Sequence, residues 1–199
     1  MDTIIEVGAN LGNDTIRYLD ANHRVFAFEP TPELNLHLKE RFKNYANYYP
    51  IPAAVDIENG WTWFNIAGSA DWGCSSMFNF DPDIHSKWEG RADFRVTDRC
   101  RVLTMRLDTF MNTYGIDTVE YLWVDAQGND FRVLQSLGER VKDIVAGQVE
   151  VAYECDLYTG VDNSYTSVVE WLHAHGFETN VVPHSHRKEA DIYFSRSLK

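Results

Sequence analysis

The sequence predicts an α/β fold with a mostly parallel sheet between layers of helices, and three observations carry that expectation. Short apolar runs at residues 3–7 and 25–29 alternate with segments of helical spacing. Each run carries an acid at or near its end, Glu6 and Glu29. The same rhythm of strand, acid, glycine-bearing turn and helix returns at residues 120–125, which close on Asp125. Alternation of this kind is the signature of parallel strands joined by helical crossovers.

Each element follows from its pattern. Residues 3–7 read as a buried strand, and residues 13–21 as a helix turning Ile16 and Leu19 inward. Residues 25–29 form the second strand. Residues 31–42 form a helix whose Leu34, Leu38 and Phe42 recur every four positions. Pro32 suits its first turn, where a missing amide donor costs little. Residues 51–55 are the expected third strand. The next stretch departs from the rhythm: Trp61-Thr62-Trp63-Phe64 alternates like a strand, residues 68–99 are polar, aromatic and turn-rich, and residues 100–107 alternate again with Leu103, Met105 and Leu107 on one face. A hairpin-like insertion over about 60–107 with a long loop is the expectation, and loops of that length are commonly functional. The α/β pattern then resumes with a helix over 129–139 and a strand over 147–154. Tyr165, Val168, Val169 and Leu172 mark a helical face ending near Gly176, and a closing pair of strands follows at 177–182 and 191–196.

Bulk composition narrows the function. With 199 residues, 44% hydrophobic and 24% charged, the chain is expected to be one globular domain spanning 1–199 rather than a disordered segment. A net charge of −12 argues against tracking along nucleic acid or binding an anionic membrane surface. No apolar run approaches membrane-spanning length. The three cysteines, Cys74, Cys100 and Cys155, are odd in number and far apart, which implies no disulfide framework and a cytoplasmic setting. The first strand begins almost at residue 1, so acceptor recognition is expected from the insertion or from another subunit. The oligomeric state stays open.

The acids on the strand ends define a nucleoside pocket, since ligands of open α/β sheets lie beyond the carboxyl ends of the strands. Gly8 and Gly12 permit close backbone approach. Glu29, 21 positions after Gly8, can accept hydrogen bonds from both hydroxyls of a ribose. Two cofactor classes compete. A dinucleotide fingerprint needs glycine where this chain carries Asn10 and Asn13. An acid just before the turn, Glu6, suits the ammonium of a methionine moiety and favours S-adenosylmethionine.

Val7-Gly8-Ala9-Asn10-Leu11-Gly12, Ala27-Phe28-Glu29-Pro30, Ala53-Ala54-Val55, Ser75-Ser76-Met77, Leu107-Asp108-Thr109-Phe110, Val124-Asp125-Ala126-Gln127-Gly128 and Val149-Glu150-Val151 occur in that order. In their order and spacing the chain resembles the FkbM-type S-adenosylmethionine-dependent methyltransferases over nearly its whole length. The resemblance implies a Rossmann-like methyltransferase sheet with an antiparallel last strand. It also implies transfer of a methyl group to a hydroxyl of a small molecule or sugar. Glu6 stands where the family usually has Asp, preserving the charge.

Carried onto this sequence, the resemblance assigns Glu6, Gly8, Ala9, Asn10 and Gly12 to the methionine and ribose side. It assigns Glu29 and Pro30 to the ribose, Ala54 and Val55 with Asp56 as a further candidate to the adenine edge, and Asp125 and Gln127 to the meeting point of donor and acceptor. Because an alcohol needs its proton drawn away, Asp125 is the first candidate base and Glu150 the second. Competing roles are a helix cap or amine ligand for Asp125, and pairing with Arg132 or Arg140 for Glu150. A divalent ion held by Asp125 with Glu150 or Asp156 is a less favoured variant, and the sequence alone assigns no metal ligand set. His184-x-His186 reads as a solvated turn. The aromatics Trp61, Trp63, Trp72, Phe78, Phe80 and Trp88 form either a cluster under the insertion or an acceptor wall. Trp72, Ser75, Ser76 and Tyr158 are the candidate contacts to a small-molecule or glycan acceptor. A nicotinamide-dependent oxidoreductase and a non-catalytic cofactor-fold binding protein are the alternative functions.

Overall fold

The computed structural model describes residues 1–68, 72–88 and 90–196. In chain order the first elements are β1 (Thr3–Val7), α1 (Thr15–Asp20), β2 (Arg24–Phe28), α2 (Pro32–Arg41), β3 (Tyr48–Ile51) and β4 (Ala53–Val55). The insertion supplies β5 (Gly60–Ala67), β6 (Asn79–Phe80), α3 (Ile84–Lys87) and β7 (Val96–Met105). The second half contains α4 (Leu107–Tyr114), β8 (Val119–Val124), α5 (Asp130–Gln135), a 3-10 turn (Gly138–Asp143), β9 (Ile144–Ala152), β10 (Tyr158–Thr159), α6 (Tyr165–Ala174), β11 (Glu178–Pro183) and β12 (Glu189–Ser195).

The main sheet has seven strands in the order β3-β2-β1-β8-β9-β12-β11. Five of them, β3 through β9, pair in parallel, while β12 runs antiparallel to both β9 and β11. The last strand is thus the reversed one, as the resemblance implied, and it sits one place in from the edge. Alternation along the strands splits the core in two. Ile5, Val7, Phe26 and Phe28 pack with Phe110 and Met111 of α4, Leu134 of α5 and Leu172 of α6. Their neighbours Ile4, Val25 and Ala27 face Leu19 of α1 and Leu38 of α2. A period of two in each strand therefore serves both helical layers.

The expected third strand divides at Pro52. Residues Tyr48–Ile51 stay in the main sheet, whereas Ala53–Val55 pair with β7 in a three-stranded sheet of order β4-β7-β5. Proline offers no amide to a ladder, so the chain changes sheets there. β5 and β7 form the expected hairpin, with a register shift at Ile66/Ala67. Leu107 does not extend that strand; it opens α4. The stripe Leu107, Phe110, Met111 and Tyr114 has helical spacing, and Gly115 closes the helix with a left-handed φ of 61°. The expected helix over 129–139 stops at Gln135, and Gly138 with φ 49° marks the passage into the 3-10 turn.

The ends of β1 and β8 meet at one crowded point. Asp125 donates its amide to the Val7 carbonyl at 3.0 Å. A Cβ on Gly8 would lie 1.8 Å from the Asp125 carbonyl oxygen, and Gly8 has φ 88°. Replacing Gly8 by alanine is expected to cost about 4 kcal/mol and roughly 10 °C in Tm. Gly115→Ala, also at positive φ but with nothing within 4 Å of the added carbon, is expected to cost only about 1 kcal/mol. Thermal melts of the two variants separate crowding from backbone strain; equal losses would contradict the close approach.

Candidate functional site

A cavity of about 600 Å³ opens at the carboxyl ends of β1, β2, β4 and β8. Its floor and rim are Val7, Gly8, Asn10, Glu29, Pro30, Thr31, Asp125, Ala126, Gln127 and Asn129. Its apolar wall is Phe28, Leu34, Ala53, Ala54 and Val55, and the insertion closes it with Phe64, Trp72, Gly73, Ser75 and Met77. The turn after β1 is pinned because Gly8 and Ala9 both donate amides to the Phe28 carbonyl at 3.0 Å. Asn10, Trp72 and Gln127 are non-glycine residues with φ of 49°, 52° and 52°, and all three line this cavity. Backbone strain concentrated in one cleft is a mark of a functional site.

Glu29 is 4% exposed and reaches the cavity wall. Its carboxylate accepts the amides of Asn10 at 2.9 Å and Thr31 at 2.8 Å. Burial pushes its carboxyl above the usual carboxylate range, opposed by those amides. Each carboxylate oxygen keeps lone-pair capacity for a further donor. Two buried amide oxygens, Asn10 Oδ1 and Asn129 Oδ1, have no partner among the described residues. Asn129 is fixed by donating Nδ2 to the Val55 carbonyl at 2.7 Å.

The remaining cofactor candidates sit around the same turn. Glu6 and Ala9 line an adjoining cleft with Asn10 and Asp14 rather than the main cavity. Gly12, with φ 77°, has its α-carbon packed against Phe42 and Leu38, so the turn closes on α2 there. Asp56 pairs with Arg132 at 2.8 Å and lies outside the cavity wall.

Asp125 and Glu150 converge through Gln127. Gln127 Nε2 donates to Asp125 Oδ1 at 2.7 Å and to Glu150 Oε2 at 3.2 Å. Its Oε1 accepts the Tyr158 hydroxyl at 2.9 Å. Burial raises the Tyr158 phenol well above its ordinary value, which keeps it a donor. Burial also raises both acids, and for Glu150 the negative charge of Asp125 adds to the effect. Gln127 therefore stands between the main cavity and a second one of about 360 Å³, lined by Glu150, Tyr158, Cys155, Asn163 and Glu189. Glu150 does not pair with either arginine considered from sequence: Arg132 holds Asp56 and Arg140 holds Asp143.

Asp130 was not singled out by sequence, yet it anchors this turn. It accepts the amides of Ala126 and Gly128 and the Nδ2 of Asn163. Its carboxyl is pushed up to about 7 by burial. The signal was present as an acid two residues after Gly128, but nothing local revealed Asn163 as its partner.

Among acceptor candidates, Trp72 and Ser75 line the main cavity and Tyr158 the second. Ser75 Oγ accepts the Ala67 amide at 3.0 Å. Ser76, 1% exposed, donates its hydroxyl to the Gln127 carbonyl at 2.7 Å, tying the insertion to the turn after β8. Phe78, Phe80 and Trp88 join a satellite cluster with Phe94 and Tyr158. Trp61 and Trp63 are 64% and 58% exposed and line neither cavity.

Glu6 is 2% exposed and accepts the Thr15 hydroxyl at 2.6 Å. Burial raises its carboxyl from 4.5 to about 7, with the Thr15 bond opposing the shift. Between those values the folded chain retains a proton that the unfolded chain releases, so this residue's contribution to stability falls as pH rises through the window. The loss is on the order of 3 kcal/mol, or roughly 5–10 °C in Tm. Glu6→Gln has no such proton to lose. Its Tm is expected to fall less than wild type between about pH 5 and pH 7.5, and parallel profiles would refute the assignment.

The methyltransferase FkbM domain family matches residues 6–179. A curated relative, the 2-O-methyltransferase NoeI of Sinorhizobium fredii (strain NBRC 101917 / NGR234), is 26% identical over 137 residues, 66% of this chain. The match spans 55% of that protein's length. Among solved structures, Aeropyrum pernix fibrillarin with natively bound S-adenosyl-L-methionine aligns with a TM-score of 0.56 at 14% identity, covering 97% of this chain and 66% of that one. A putative rRNA methylase from Clostridium thermocellum aligns with a TM-score of 0.55 at 12% identity, covering 100% of this chain and 88% of that one. Likeness at this identity speaks to the fold, which is that of the Rossmann-like methyltransferases. With the domain match extending over most of its length, the chain belongs to the methyltransferase FkbM domain family.

Proposed function

We propose that this protein transfers a methyl group from S-adenosylmethionine to a hydroxyl of a small molecule or glycan. The observation that carries the reading is Glu29, a buried carboxylate fixed by two backbone amides on the wall of a cavity of about 600 Å³. The residues fit S-adenosylmethionine chemically: Glu29 has acceptor capacity for a ribose diol, Ala54 and Val55 supply an apolar edge for a base, and Asn10 and Asn129 hold unpartnered acceptors. When bound, S-adenosylmethionine supplies an electrophilic methyl group on a sulfonium.

Everything else falls to this chain's own side chains. Glu29, Asn10 and Asn129 would hold the nucleoside, and Glu6, beside the same turn, would favour an ammonium group in the adjoining cleft. Asp125 is the proposed base for the acceptor hydroxyl, and Gln127 Nε2, donating to both Asp125 and Glu150, holds the two carboxyl groups in place. Gln127, locked by Tyr158, holds both carboxylates at the boundary of the two cavities. Positioning of the two reactants there accounts for much of the expected acceleration. The acidic walls of the second cavity and the net charge of −12 favour a neutral or cationic acceptor over a polynucleotide. The 2-O-methyltransferase relative supports oxygen as the methylated atom.

Calorimetric titration tests the donor site. Wild type is expected to bind S-adenosylmethionine, and Glu29→Ala to weaken that binding about 100-fold, or nearly 3 kcal/mol. Unchanged affinity in a folded Glu29→Ala variant, or no binding by wild type at millimolar ligand, would remove the reading. With an accepted substrate, Asp125→Asn is expected to lower kcat by roughly 100-fold or more while the variant still binds donor. A kcat within a few-fold of wild type would exclude Asp125 as the base.

A further inference from the structure

Beyond the second cavity, the sheet places like charges opposite one another in a way its own side chains leave uncompensated. Glu150 on β9 and Asp191 on β12 are direct register partners in an antiparallel pair. Directly opposed like charges destabilise such a pair. No lysine or arginine among the described residues forms an ion pair with Asp125, Glu150, Glu189 or Asp191. What reaches them is an imidazole: His184, at the end of β11, sets Nε2 3.2 Å from Asp191 Oδ2. Ligating atoms of Glu150, His184 and Asp191 all lie within 4.8 Å of one another. Two donors about 2.1–2.2 Å from one ion, at roughly a right angle, are separated by about that 3.2 Å.

We propose that Glu150, His184 and Asp191 form a binding site for a divalent transition-metal ion at the acceptor end of the site. One imidazole and two carboxylates make a mixed donor set that suits manganese, iron or zinc, whereas magnesium and calcium favour oxygen alone. Glu150 also lines the second cavity, and all three side chains are only half-buried, so the triad is not sealed in the core. Gln127 bridges Glu150 to Asp125, so an ion held there lies beside the proposed base and can bind an acceptor hydroxyl, easing loss of its proton. That role rests on the methyl-transfer reading; the binding site does not. A second triad, His184, His186 and Glu189, shares one ligand with the first. His186 is turned towards Trp88, with ring centroids 4.6 Å apart, and Glu150 is absent from that set, which favours the inner triad.

Manganese alone is the probe. Chelator-stripped full-length protein is titrated with Mn²⁺ and the free ion followed by electron paramagnetic resonance. Wild type is expected to bind one ion per chain, His184→Ala to weaken binding at least about 10-fold, and His186→Ala to stay within about 3-fold. Asp191→Asn provides the same loss should His184→Ala fail to give a cooperative melt. No stoichiometric binding by wild type at about 1 mM Mn²⁺, or unchanged binding by the folded inner-triad variants, overturns the site. An equal loss in His186→Ala overturns the assignment to the inner triad. Calorimetry with S-adenosylmethionine in the presence of chelator separates the two readings. If the donor binds but manganese does not, only the metal site falls; if the donor fails to bind, the methyl-transfer reading falls whatever manganese does.

Discussion

The contact between the ends of β1 and β8 is the constraint on which the site depends. Only a glycine fits at position 8, because a side-chain carbon would overlap the Asp125 carbonyl. That closeness brings the turn after β1 and the turn after β8 to a single rim. The first turn is pinned to Phe28 by the Gly8 and Ala9 amides, and the second to Val7 by the Asp125 amide. Glu29, Asn10, Asp125 and Gln127 consequently line one cavity although they come from three strands and their turns. A parallel sheet delivers strand ends to one edge; the glycine decides how tightly they close.

Upon that frame the chain buries an unusual amount of acid. Glu6, Asp125, Asp130 and Glu150 all have carboxyls raised chiefly by burial. Each has a hydrogen-bonding partner rather than a lysine or arginine: Thr15, Gln127, backbone amides with Asn163, and Gln127 again. Acids raised by burial are suited to accepting and releasing protons, and Asp125, Asp130 and Glu150 gather at the turn that carries Gln127. The insertion takes part through Ser76, whose bond to the Gln127 carbonyl couples the hairpin to the turn that holds the acids.

Most of the strand framework was legible because its signals are local. Short apolar runs, an acid at the strand end and a following turn occur within about a dozen residues, and β1, β2 and β8 follow from them, whereas the reversal of β12 came from the family resemblance. Helix α4 was hidden because the alternation of β7 runs into Leu107 without a break, so Leu107 was counted as strand and the residues after it were given no element. Pro52 carried the information that the third strand divides, but a run of apolar residues on both sides masked it. At the site, Glu29 and Asp125 were legible from position. The bridge from Gln127 to Glu150 was not, since it joins residues 23 apart in sequence. Nor was the opposition of Glu150 and Asp191, which depends on the register of β9 with β12. The exposure of Trp61 and Trp63 was equally beyond a local pattern, because it depends on what covers the small sheet.

Hydrogen–deuterium exchange with S-adenosylhomocysteine tests most directly whether the closed rim is a nucleoside cradle. Ligand is expected to slow exchange in three segments together, residues 8–12, 29–31 and 125–129, leaving β11 and the exposed face of β5 unchanged. Protection confined to other segments, or none under saturating ligand, would contradict the account.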